Sequence, residues 1–191
     1  MYKVNKVMID FETLDTTPSS VAFSVGLCFF DEKRVFADMH INLNIQQQIE
    51  AGRTISADTL KFWMGQPALY AQLTTDPVDV QKGLSLISKK FREYEVQEIW
   101  GNGASFDMPI LDTLMSKREK PYSFRSSRCY RTLKNLFTEA ELEGVIGDVT
   151  NPQLHHPKYD AIHQAKCTIL LLNQLTQMRR AYASNTTNTK P

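Results

Sequence analysis

Val7-Met8-Ile9-Asp10-Phe11-Glu12-Thr13 is the stretch on which the reading of the chain turns. Its first half is apolar and partly β-branched, with no Gly or Pro, as in a buried β-strand. Two carboxylates then stand two residues apart at the strand's end. Side chains alternate faces along a strand, so Asp10 and Glu12 share one face while Phe11 points to the other, into a core. Like charges at the end of a buried strand repel, and desolvation worsens the repulsion. A divalent cation held by oxygen ligands relieves it. The plainer alternative is a surface turn that happens to be acidic.

The wider composition bounds what such a strand can belong to. A chain of 191 residues, 42% hydrophobic, suffices for one sizeable domain and is short for two. With 22 Lys and Arg against 21 Asp and Glu, no global positive field marks a polyanionic partner. Any nucleic-acid contact has to come from a local patch. Cys28, Cys129 and Cys167 are widely spaced, odd in number and without a C-x-x-C, as expected of reduced, packed thiols in a cytoplasmic protein. No apolar stretch precedes the carboxylates as a signal peptide requires, and none approaches the roughly 18 residues that span a bilayer, so no membrane partner is expected.

Beyond Thr13, the pattern predicts further strands over residues 21–30 and 35–43, joined by polar turns into an antiparallel meander. From residue 44 the period becomes helical. Helices are expected over residues 57–64, with Ser56 as N-cap and Pro67 as terminator, and over 78–94. A short strand at 98–100 leads through Gly101-Asn102-Gly103 to a helix over 107–117, whose start Pro109 fixes. A short strand at 124–129, a helix at 132–142, a loop at 144–157 and a long helix at 158–182 complete the expectation. Residues 1–182 thus form one mixed α/β domain, and residues 183–191 a disordered polar tail.

Four carboxylates fall at element ends: Asp10 and Glu12 after the first strand, Asp107 at a strand–turn–helix junction, and Asp160 in the first turn of the last helix. His155 stands five residues before Asp160. Oxygen-only ligands suit Mg²⁺ or Mn²⁺ rather than Zn²⁺. Carboxylates that bridge two ions, beside a histidine whose pKa ordinarily lies near neutrality, are the parts of metal-assisted hydrolysis.

Asp10-Phe11-Glu12, then Asn102-Gly103-Ala104-Ser105-Phe106-Asp107, then His155-x4-Asp160 resemble the three motifs of the DEDDh, or DnaQ-like, 3′→5′ exonucleases. The chain is most similar to the branch holding bacteriophage exonuclease A and small bacterial 3′→5′ exoribonucleases. Thr59-Leu60-Lys61-Phe62-Trp63-Met64, Arg128-Cys129-Tyr130-Arg131-Thr132-Leu133 and Asp160-Ala161-x2-Gln164-Ala165 extend the likeness over residues 7 to about 172. The third motif departs from the family pattern: Pro157 replaces an Ala, and the histidine is doubled as His155-His156. Spacing selects His155; a shifted loop would select His156. Asp15 stands where many relatives carry Gly.

The resemblance implies an RNase H-like mixed sheet and a metal-dependent 3′→5′ exonuclease acting on single-stranded DNA or RNA. Two ions, Mg²⁺ or Mn²⁺, would be held by Asp10, Glu12, Asp107 and Asp160, with His155 as general base. It also implies substrate contacts at Thr13, Leu14, Trp63, Met64, Phe106, Arg128 and Arg131, and a homodimer as a possible state. On their own Trp63 and Met64 read equally as core residues of their helix or as surfaces that stack or wedge substrate bases, and Phe106 reads as core. Residues 117–134 carry seven Lys or Arg with one Glu and interleaved aromatics, a local basic patch suited to phosphates or simply a solvated face. A silent nucleic-acid-binding relative and an enzyme confined to short oligonucleotides are the rival readings.

Overall fold

The alternation in the first strand decides how the two faces of the sheet are covered. In the computed structural model, which describes residues 5–103, 105–115 and 120–187, that strand is β1 (Lys6–Thr13). It pairs antiparallel with β2 (Ala22–Phe30), which pairs antiparallel with β3 (Val35–Asn42), giving the expected meander. On its other edge β1 pairs parallel with β4 (Glu98–Gly101), and β4 with β5 (Ser127–Cys129). The order β3-β2-β1-β4-β5 puts the acidic strand in the middle of a mixed sheet.

Val7, Ile9 and Phe11 enter one core, packed by Leu84, Ile87 and Phe91 of α4 (Val80–Glu93) and Ile110 and Leu111 of α5 (Asp107–Leu114). Met8 faces the opposite side, where Ala161, Ala165 and Ile169 of the long helix cover it. Asp10 and Glu12 continue the Met8 face beyond that cover. Among the described residues the other α-helices are α1 (Ile45–Glu50), α2 (Ala57–Met64), α3 (Pro67–Leu73), α6 (Tyr130–Lys134) and α7 (Glu139–Ile146); the long one is α8 (Pro157–Thr187). No helix among the described residues is long and apolar enough to cross a membrane.

Several boundaries differ from expectation, each for a local reason. Pro67 not only ends α2 but opens α3, since a proline at the first helical position loses no hydrogen bond. Asn44 caps α1 by accepting from the Gln47 amide at 3.0 Å. The helix expected over 132–142 is two, because Thr138 and Glu141 form a reciprocal capping box that starts α7 afresh. The helix from Asp107 stops at Leu114. Residues 183–187, expected as disordered tail, are helical: α8 runs to Thr187, since extending a nucleated helix by a few polar residues adds one bond per residue. The rest of that tail, and Lys117 and Arg118 of the basic patch, lie outside the described residues.

Candidate active site

Asp10 sits in register with Gly26 of β2, and Gly26 with His40 of β3. The start of α8 crosses above this row and brings Asp160 to the two strand carboxylates. Ligand oxygens of Asp10, Glu12 and Asp160 all lie within 4.8 Å of one another. The Asn151 side chain donates to Asp160 Oδ1, and Gln164, one helical turn further, donates to Asp10 Oδ1 at 3.0 Å.

Asp107 arrives from the opposite core. It is 2% exposed, and its Oδ1 accepts from the Phe11 amide at 3.1 Å. The β1–β4 ladder ends at the Met8–Trp100 pair, so the carboxylate takes the place of a ladder partner that β4 no longer provides. Gly101 makes room for it: a Cβ there would stand 2.8 Å from Asp107 Oδ2. The four carboxylates line one cleft of about 400 Å³ with Phe106, Arg131, Leu154 and His155.

The doubled histidine separates cleanly. His155 is exposed, lines the cleft and packs edge-on against Phe62, ring centroids 5.1 Å apart. Its φ of +60° is left-handed, which is uncommon for a residue other than Gly and turns the chain sharply. His156, 4% exposed, therefore goes inward and packs on the rings of His40 and Tyr159 at 4.8 and 4.6 Å. Burial pulls its pKa down from the ordinary imidazole value.

The carboxylates do not tolerate one another's charge. Burial, then Asp10, Asp160 and Asp107, push the Glu12 carboxyl up to about 10. Burial, then Asp107 and Asp160, raise Asp10 well above its usual range, against the pull of the Gln164 hydrogen bond. Asp107 is pushed up to about 7 by burial, opposed by main-chain hydrogen bonds and the Arg131 charge. Asp160 is raised by burial and held back by Asn151. Four acids that resist ionising together, all offering oxygen, fit a divalent cation, whose charge removes the cause of the shift.

Other expected contacts are sorted by position. Arg131 lines the cleft and donates to the Asn102 carbonyl at 2.9 Å. Arg128 lies on the edge strand β5 instead, 3.7 Å from Glu98, donating to the Arg125 and Ser127 carbonyls. Trp63 is buried with Leu14 in a small cluster, and its indole N–H donates to the Thr13 carbonyl at 2.9 Å. It braces the end of β1 rather than opening on the cleft. The Thr13 hydroxyl is likewise engaged, donating to the Asp15 carbonyl at 2.6 Å. Met64 is 79% exposed. Leu154 and Asn151 are site residues that the sequence reading did not single out, and Phe62 and Gln164 entered it only within stretches that carry the family likeness, without a role. Gln164 carried two signals, its place in the Asp160-Ala161-x2-Gln164-Ala165 stretch and its position four residues after Asp160 on a helix.

A central β1 carrying two acids, met by a third at the head of α8 and a fourth behind β4, defines the DnaQ-like 3′→5′ exonuclease class on an RNase H-like fold. Residues 5–172 match the model of the family described as 3′-5′ exoribonuclease Rv2179c-like domain, and the chain belongs to that family. Among solved structures it is similar to exonuclease X in complex with 5′ overhanging duplex DNA. That likeness has a TM-score of 0.56 and 17% identity over 88% of this chain and 92% of the other, and it concerns the fold. No curated protein sequence matches the chain. Family membership supports 3′→5′ exonuclease activity.

Proposed function

We propose that the chain is a DEDDh-type exonuclease that hydrolyses single-stranded nucleic acid, RNA foremost, from the 3′ end to nucleoside 5′-monophosphates. The observation that carries the reading is the convergence of Asp10, Glu12 and Asp160 within 4.8 Å, with His155 on the same cleft. The preference for RNA follows the family's description as exoribonuclease.

Asp10, Glu12 and Asp160 would hold one divalent cation, Mg²⁺ or Mn²⁺, of two. Asp107, its Oδ1 already engaged by the Phe11 amide, would support the second through water. When bound, the cations supply the positive charge that eases ionisation of water and offsets charge gathering on the phosphate. His155 takes the proton from the attacking water. That water's oxygen joins phosphorus, the bond from phosphorus to the 3′ oxygen breaks, and the 3′ oxygen takes a proton from solvent, leaving the shortened strand with a new 3′ hydroxyl. Arg131, beside Asp107, faces the phosphate with positive charge. The exposed Phe62 ring and Leu154 offer apolar surface to an unstacked terminal base.

Digestion of matched 3′-labelled and 5′-labelled RNA and DNA oligomers with Mg²⁺ or Mn²⁺ tests the reading. The 3′ label should leave at once as mononucleotide, while the 5′ label passes through a ladder of shrinking products, faster for RNA. Early release of the 5′ label as mononucleotide reverses the polarity. Binding without release in either metal makes the chain a silent relative.

A further inference from the structure

Gln164 lies one helical turn beyond Asp160 on α8, so both side chains leave the helix on the side that faces the acidic strand. It lines the cleft, is 6% exposed, and its Nε2 donates to Asp10 Oδ1 at 3.0 Å. An ionised Asp10, as a bound cation would keep it, fixes the orientation of the amide: an acceptor there requires the nitrogen on that side. The other end of the amide, Oε1, is buried and has no hydrogen-bond partner among the described residues.

A buried acceptor without a donor is destabilising, and such groups are rare enough in folded proteins that each calls for a ligand or an ordered water. The neighbours of this one narrow the choice. Beside a bound cation Asp10, Glu12 and Asp160 are ionised and can only accept, and the nearest turn of α8 contributes Ala161 and Ala165, which pack on the sheet. The cleft that Gln164 lines is the side from which a donor can then reach it. We propose that Gln164 is the positioning residue of the cation site: its amide nitrogen orients Asp10, and its Oε1 accepts from a water carried by the bound cation. The inference rests on the metal reading of the preceding section. It also accounts for the residue type. A glutamate would set a fifth carboxylate against Asp10, and an asparagine would be one methylene too short to keep the contact.

Calorimetric titration of Mn²⁺ into the full-length parent, Asp10→Asn, Gln164→Met and Gln164→Glu tests it, with metal-free melts of each. Groups that hold metal ligands in place typically change metal affinity about 10- to 100-fold when removed. Gln164→Met, similar in volume but lacking both amide atoms, should bind Mn²⁺ more weakly by that order while melting within a few degrees of the parent. Gln164→Glu keeps an acceptor at the same reach and adds charge, so it should bind Mn²⁺ more tightly. Weaker binding in Gln164→Met marks a side chain that acts through its amide; a space-filling role leaves that variant at the parent's affinity. Should Gln164→Met fail to fold, Gln164→Asn, polar but too short to reach Asp10, should lose Mn²⁺ affinity by the same order, and parent affinity there overturns the role. If Asp10→Asn abolishes binding while both Gln164 variants match the parent, this role of Gln164 falls and the metal reading stands. If Asp10→Asn binds Mn²⁺ as well as the parent, the metal reading falls and takes this role with it.

Discussion

Gly26 lies directly beneath Pro157: a Cβ on the glycine would stand 2.1 Å from the Pro157 carbonyl carbon. The same glycine is flanked in register by Asp10 on β1 and His40 on β3. Across one row of the sheet, the chain entering α8 thus packs His156 on His40, seats Pro157 on Gly26, and delivers Asp160 to Asp10. Absence of a side chain at one strand position sets the height at which the third motif meets the first.

Gly26→Ala should therefore lift the head of α8. Overpacking of this kind costs about 1–3 kcal/mol, and a misplacement of about 1 Å at a reacting centre about 10²-fold in rate. Urea denaturation should show the first, and turnover at a temperature where the variant stays folded the second. Full activity in Gly26→Ala would mean that the helix start adapts without moving Asp160.

Metal-free stability should fall as pH rises. Glu12 has an ordinary value of 4.5 and is pushed up to about 10 in the fold, chiefly by burial. Its folded pKa lies above its unfolded one, so its contribution is complete below the unfolded value and is lost as pH climbs toward the folded one. Melting temperature in chelator should drop between about pH 5 and pH 9, each proton counting about 1.4 kcal/mol per pH unit. Glu12→Gln should flatten the profile, and Mg²⁺ at the alkaline end should restore the parent but not the variant. A parent profile rising over that range would contradict the acidic cluster.

The two histidines should separate by kind of defect. His155→Ala should lose about 10²–10⁴-fold in rate, the usual worth of a general base, with stability and Mn²⁺ affinity nearly intact. His156→Ala removes a ring packed on His40 and Tyr159 and should show mainly in the melt. A large rate loss confined to His156→Ala would put the base in the wrong residue.

Arg131→Ala should weaken single-strand binding and flatten its dependence on salt, since one fewer phosphate contact releases fewer counterions. Arg128→Ala, on the edge strand beside Glu98, should leave the salt slope near that of the parent. Equal slopes for the parent and Arg131→Ala would move the phosphate track out of the cleft.

What was legible in the sequence was local. The period-two pattern of β1 placed Asp10 and Glu12 on one face and Phe11 on the other, and Asp107 and Asp160 stood at element ends by their flanking turns. The choice between His155 and His156 was not decided by the residues alone, because it depends on one left-handed φ at His155. Trp63 was ambiguous for a similar reason: its indole bonds to the Thr13 carbonyl, fifty positions away, and that contact buries it. Arg128 and Arg131 look alike along the chain but fall on opposite sides of the β5–α6 junction, which sends only the second into the cleft. Gln164 was within reach of sequence reasoning, since four residues after Asp160 is the same helix face. Its contact with Asp10, 154 positions away, was not.

The most direct test is digestion of a single-stranded RNA oligomer in ¹⁸O-enriched water with Mn²⁺, with mass analysis of the first products and Asp10→Asn as control. The expected products are nucleoside 5′-monophosphates bearing one heavy oxygen on phosphorus and a shortened strand with an unlabelled 3′ hydroxyl, with no products from the variant. Nucleoside 3′-phosphates or cyclic phosphates, or undiminished release by Asp10→Asn, would contradict the proposed reaction.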